Sequence, residues 1–158
     1  MRSTANVAIR AAVPADAPAI SSCLREAFAP YRSAYTPLAF ADTVPAPEQV
    51  LDRLLQMQLL VAEANCKIVG TISAAVSGEQ GHLRGMAVLP EWRGTGTAAM
   101  LLAAIETWLL TCGCREVTLD TTEPLESAIK FYEKRGYRRT GNISDFFGMA
   151  LIEYSKRL

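Results

Sequence analysis

The chain has 158 residues, half of them apolar and a fifth charged, with 16 basic residues balanced by 16 acidic ones. That length fits one domain over residues 1–158 with a core that needs no staples, and the balanced charge removes the electrostatic argument for a nucleic-acid or membrane-surface partner. No apolar run approaches membrane-spanning length and no leader-like segment opens the chain, so a cytoplasmic protein is expected.

Val7 to Val13 is β-branched at its ends and followed by Pro14, and reads as a first strand. Asp16 can cap a helix that carries Ile20, Leu24, Ala27 and Phe28 at helical spacing until Pro30 stops it. Tyr31 to Pro47, with prolines at 37, 45 and 47, reads as an irregular loop whose Tyr31 and Tyr35 either line an acceptor pocket or cover the sheet. Glu48 to Gln56 is an amphipathic helix, and Gln58 to Glu63 and Lys67 to Ser73 flank Ala64-Asn65-Cys66 as a hairpin.

Gly78 to Gly81 turn the chain into a strand over Leu83 to Leu89, closed by Pro90. A glycine loop follows, then a helix from Thr97 that is apolar nearly all round and therefore expected to be buried. Cys112-Gly113-Cys114 reads as a helix-to-strand turn. Together with Cys23, Cys66 and the single His82 it makes neither a disulfide framework nor a zinc set, so reduced thiols and no metal are expected.

Glu116 to Thr121 is the next strand, followed by a helix capped by Thr122 or Glu123 with Pro124 in its first turn. Leu125, Ala128, Ile129 and Tyr132 share one side of it, which points Tyr132 inward. Gly136 ends the helix, and Tyr137 to Ile143 and Phe146 to Tyr154 make a closing hairpin. The order β-α-α-β-β-β-α-β-α-β-β predicts an α/β (α+β) domain, a mixed twisted sheet with helices on both faces.

The stretch from Leu83 to Ala99 organises the rest. Gly94 and Gly96 allow a tight turn, and the N–H groups of the first helical turn then face outward at the positive end of the helix dipole, which together make an anion site. No Gly-Lys-Ser/Thr follows, so this is not a Walker loop. Ala99 stands where a dinucleotide fingerprint needs its third glycine.

Arg93-Gly94-Thr95-Gly96-Thr97-Ala98, preceded by Met86-Ala87-Val88-Leu89-Pro90-Glu91 and followed downstream by Phe131-Tyr132-Glu133-Lys134-Arg135-Gly136-Tyr137, resembles the acyl-CoA motif and the tyrosine helix of the GNAT superfamily of N-acetyltransferases. The resemblance implies a mixed, mostly antiparallel sheet of about seven strands, and acetyl-CoA as acyl donor. It also implies transfer to a primary amine of a small molecule or peptide by direct attack in a ternary complex. By the same resemblance the amides from Gly94 to Ala99 clasp the pyrophosphate, with Arg93 able to add charge, and the strand Met86-Ala87-Val88 runs beside the pantetheine arm. Its N–H near Val88 would polarise the thioester carbonyl, which requires a bulge or a splay from the Glu116–Thr121 strand.

The resemblance makes Tyr132 the general acid. A phenol near 10 protonating a thiolate near 8.5 is uphill by about 2 kcal/mol, which a developing charge in a dry site can offset. Freeing an amine of its proton at pH 7 costs roughly 4–5 kcal/mol, so a base or water wire is needed. His82, sharing a side with Arg84, Met86 and Val88 by strict alternation, Asp120 at the end of the neighbouring strand, and Glu123 are the candidates, and no single base is a fourth possibility. One departure stands out: many relatives carry an asparagine that contacts CoA where this chain has Leu125. Two other readings stay open, a non-catalytic acyl-CoA-sensing module and a transferase of longer acyl chains. A homodimer is a further possibility, with residues 145–154 as an edge strand.

Overall fold

The computed structural model describes residues 6–158. Its strands are β1 (Ala8–Ala11), β2 (Gln58–Ala64), β3 (Lys67–Ser77), β4 (Gln80–Val88), β5 (Glu116–Thr121), β6 (Arg138–Phe146) and β7 (Met149–Arg157). Its α-helices are α1 (Ala17–Phe28), α2 (Pro37–Thr43), α3 (Pro47–Gln56), α4 (Thr97–Thr111) and α5 (Glu126–Lys134). One 7-stranded sheet runs in the order β1-β2-β3-β4-β5-β7-β6. Every neighbouring pair is antiparallel except β4 and β5, which α4 joins as a parallel crossover.

Both faces of the sheet centre are covered. A β-carbon on Gly70 would meet Leu101 of α4, whereas one on Gly85 would point toward Arg53 of α3. So α4 lies on one face and α1 with α3 on the other, and β3 reads as a nearly continuous buried run because it is sandwiched. Leu101, Leu102, Ile105 and Leu109 form the buried side of α4, but Met100 and Leu110 on its outer side are 42% and 55% exposed. The helix is thus not buried all round, since a single layer covers that face.

Several expectations need correction. Residues 31–47 are not an irregular loop: after a 3-10 segment over Ala29–Ala34, α2 forms with Thr36 accepting the Ala39 N–H as cap and Pro37 in the first turn. Gly81 is not a turn residue but lies inside β4, where a β-carbon would stand 2.6 Å from Leu109 Cδ2. Only glycine lets α4 pack that close. Neither Thr122 nor Glu123 caps α5, and Pro124 precedes the helix; Leu125 holds the cap position without a side-chain bond. The Thr122 hydroxyl is engaged by Tyr35 Oη at 2.6 Å. Finally, the strand spanning 145–154 is not an edge, because β7 is paired on both sides and β6 forms the edge.

Asp16 does sit at the start of α1, yet its carboxylate caps nothing there. It accepts instead from the Val13 N–H at 2.8 Å and from Arg10 at 2.7 and 3.0 Å, tying β1 to the helix. The Arg10 guanidinium, then the Val13 N–H, hold the Asp16 carboxyl below its usual pKa against the opposing effect of burial. A depressed folded-state value stabilises the fold above the unfolded carboxylate's pKa and ceases to do so as pH falls through the folded one. Asp16→Asn is therefore expected to cost about 1–2 kcal/mol at pH 7 in urea unfolding, with the deficit shrinking as both proteins are taken into strong acid.

Candidate active site

β4 and β5 are paired only from Gln80↔Glu116 to Leu83↔Leu119; beyond that point they diverge. The cause is local. Between the pairs Thr71↔Ala87 and Ser73↔Arg84, β4 spends one more residue than β3, a bulge centred on Gly85, whose φ of +64° favours glycine. Val88 pairs with Gly70 and Leu83 with Ala74, positions on one face of β3, so the bulge puts Val88 on the α4 face with Leu83. His82 and Arg84 therefore do not share a side with Val88, contrary to strict alternation.

The same register fixes a donor. The Leu89 N–H bonds to the Val69 carbonyl at 2.8 Å, so the Val88 N–H, one residue earlier, points away from β3 into the gap that β5 has vacated. The resemblance requires a bulge or a splay, and the structure has both.

Downstream, Gly94 and Gly96 adopt φ of +74° and +85°, and Gly96 caps α4 in a left-handed conformation. The first helical bond runs from the Met100 N–H to the Gly96 carbonyl. The amides of Gly94, Thr95, Gly96, Thr97, Ala98 and Ala99 donate to no protein acceptor among the described residues. A helix end left with that many outward donors is a site for an anion such as a diphosphate. Arg93 Nη2 donates to the Ala27 carbonyl at 3.2 Å, which ties the loop to the end of α1.

Met86, Ala87, Val88 and every residue from Arg93 to Ala99 except Thr95 border one cleft of about 950 Å³. Thr95 turns its hydroxyl to the Trp92 carbonyl and to Thr97 Oγ1. Tyr132 of α5 borders the same cleft at 6% exposure, and its hydroxyl has no hydrogen-bond partner among the described residues. Burial pushes its phenol above the usual range, so it enters the site protonated. Thr121 Oγ1, at the end of β5 and also on the cleft, is buried without a partner among the described residues. Leu125 borders the cleft as well, an apolar wall without a donor.

Two rival base candidates prove to be neighbours. His82 Nε2 is 3.4 Å from Asp120 Oδ2, and His82 Nδ1 is 2.8 Å from Thr118 Oγ1. Both His82 and Asp120 border the cleft, with side chains 39% and 30% exposed; Glu123 is exposed and does not border it. Since His82 pairs with Thr118 and lies opposite the α4 face, this pair approaches the gap from the α1/α3 side. The cleft thus passes through the sheet, with the glycine loop and Tyr132 on one side and Asp120 with His82 on the other. Sequence reasoning missed Asp42 and Arg53, which border the α1/α3 half and become visible only once α2 and α3 are placed.

Comparison with known proteins agrees with this geometry. Residues 21–137 match the model of the Acetyltransferase (GNAT) family. An acetyltransferase of Pectobacterium atrosepticum is 34% identical over 110 residues, covering 68% of this chain and 77% of that one. Among solved structures, the PaiA N-acetyltransferase of Thermoplasma acidophilum in complex with coenzyme A superposes with a TM-score of 0.81 at 19% identity, covering 97% of this chain and 99% of that one. The ribosomal-protein-S18-alanine N-acetyltransferase of Escherichia coli gives 0.78 at 16% identity, covering 96% and 94%. Among the described residues no helix is long and apolar enough to cross a membrane. With the split between β4 and β5, the glycine-capped α4 and a family match over most of its length, the chain belongs to the GNAT family of acetyltransferases.

Proposed function

We propose that this protein transfers an acetyl group from acetyl-CoA to the primary amine of an acceptor bound in the same cleft. The observation that carries this reading is the run of unengaged amides from Gly94 to Ala99 beside the gap into which the Val88 N–H points. These residues fit the coenzyme: the loop offers donors to a diphosphate, and the open flank of β4 offers main-chain groups to a peptide-like arm. The orphaned Thr121 hydroxyl adds a polar contact in the gap. When bound, acetyl-CoA supplies an activated acyl group and a thiolate leaving group.

The residues divide the remaining work. The Val88 N–H donates to the acyl oxygen as negative charge grows there. Tyr132 holds the proton for the departing sulfur; the dry environment that raises its own pKa also destabilises a bare thiolate, so the transfer stays within reach. On the acceptor side His82 Nδ1 is held by Thr118 and Nε2 lies 3.4 Å from Asp120 Oδ2, so Asp120 takes the ammonium's proton and frees the amine to attack, while His82 positions the carboxylate. Asp120→Asn and His82→Gln are each expected to lower kcat/KM by about 10- to 100-fold, and the double variant by little more than the worse single one, because the two act as a unit.

The test is thiol release from acetyl-CoA with a panel of amines, paired with calorimetric titration of CoA. Amine-dependent release supports the reading. CoA binding with release no faster than background hydrolysis for every amine would replace it with a sensing role, and faster release from a longer acyl-CoA would change the donor.

A further inference from the structure

The α1/α3 half of the cleft holds a guanidinium that has no carboxylate partner of its own among the described residues. Arg53 of α3 lies against the β4 bulge, with Nη1 3.7 Å from where a β-carbon on Gly85 would stand. Its one hydrogen bond among the described residues runs from Nη2 to the main-chain carbonyl of Asp42, 3.0 Å away, and no carboxylate among them comes within ion-pair distance of it. A guanidinium has five donors, so most of this fork is unused. The Asp42 carboxylate is committed elsewhere, to Arg84 Nη2 at 2.9 Å.

Arg53 and Arg84 thus share the single carboxylate of Asp42, and the other carboxylate of this half of the cleft, Asp120, lies beside His82 rather than within ion-pair distance of either guanidinium. Burial first, and then Arg84, pull the Arg53 pKa below its usual range, while Asp42 opposes them. An arginine does not give up its proton under such pressure, so the niche holds a standing attraction for an anion. One unpaired guanidinium matches a monoanion better than a dianion, and a planar fork matches a carboxylate.

Placement sets the size of the ligand. Gly85 and Val88 are three residues apart along β4, roughly 10 Å of extended chain. One small molecule can thus put an anionic group on Arg53 while its amine reaches Asp120 and the gap at Val88. We propose that the acceptor is a carboxylate-bearing amine of amino-acid type, its carboxylate held by Arg53 and Arg84 and its amine presented to Asp120. This builds on the acyl-transfer reading above and gives its acceptor a chemical class.

The test uses the full chain saturated with CoA for calorimetry, and with acetyl-CoA for rates. The probes are matched pairs: phenylalanine against phenethylamine, leucine against isopentylamine, and phosphoethanolamine against ethanolamine. The wild type is expected to favour the amino acid of each carboxylate pair by about 10- to 100-fold in both affinity and kcat/KM. Arg53→Gln, and independently Arg84→Gln, should collapse that ratio toward one, with Arg53→Lys restoring part of it. A variant that merely loosens the fold would weaken both members of a pair together and leave the ratio intact, which would overturn the assignment. So would turnover of the plain amines without preference for a carboxylate, or a larger preference for the phosphate. Carboxylate-selective binding without transfer to any amine would support this subsite and overturn the transferase reading instead.

Discussion

Replacing Tyr132 by phenylalanine is expected to lower kcat by about 100-fold or more while changing CoA affinity less than about twofold. The hydroxyl makes no hydrogen bond within the described protein, so its removal breaks no internal contact. The ring keeps its edge-on packing against Phe131 and Tyr137, with centroids 5.3 and 5.6 Å away, and phenylalanine preserves both. What disappears is a proton held in a dry site. Stopped-time thiol release and calorimetric titration with CoA separate the two effects. Wild-type turnover in the variant would show that water or another group protonates the leaving sulfur.

Gly96→Glu should abolish measurable CoA binding, a loss of more than about 100-fold in affinity. Three effects act together. The left-handed backbone at φ +85° costs a residue with a β-carbon about 1–2 kcal/mol. A β-carbon at this position would meet no protein atom within 4 Å, so the fold has room for the substitution at its root, and the longer side chain is expected to occupy space in front of the open amides. Its carboxylate also brings a negative charge to the place proposed for the diphosphate. Gly96→Ala isolates the backbone effect and should lose far less. Thermal melting checks that both variants fold, and full CoA affinity in the glutamate variant would remove the loop from the binding site.

The sheet and its two main motifs were legible because they obey local rules. Hydrophobic periodicity marked β2, β3, β5 and α3, and the paired glycines marked the start of α4. Two of the misses share a cause: a residue whose local signal was overridden by a tertiary partner. Thr122 looked like a cap for α5, but Tyr35, 87 positions away in sequence, takes its hydroxyl. Gly81 looked like a turn, but its missing side chain makes room for Leu109. The helix α2 had a usable signal in Thr36-Pro37, a capping residue followed by a first-turn proline, which three prolines in close succession obscured. The candidate site divides the same way. Its cofactor side lies on one continuous stretch and could be read from it. The contact of His82 with Asp120 and the gathering of Asp42, Arg53 and Arg84 come from four separate elements and needed the fold.

The supernumerary residue in β4 makes this centre depend on chain length as much as on chemistry. Excise Gly85 and regularise the ladder, and one half of the strand must rotate half a turn: either His82 leaves Asp120 or the peptide at Val88 swings back onto β3. No side chain proposed to perform chemistry would have been altered, yet the groups proposed for donor and acceptor would no longer confront each other. A single-codon deletion is therefore expected to silence the proposed activity while sparing every motif by which the family is recognised.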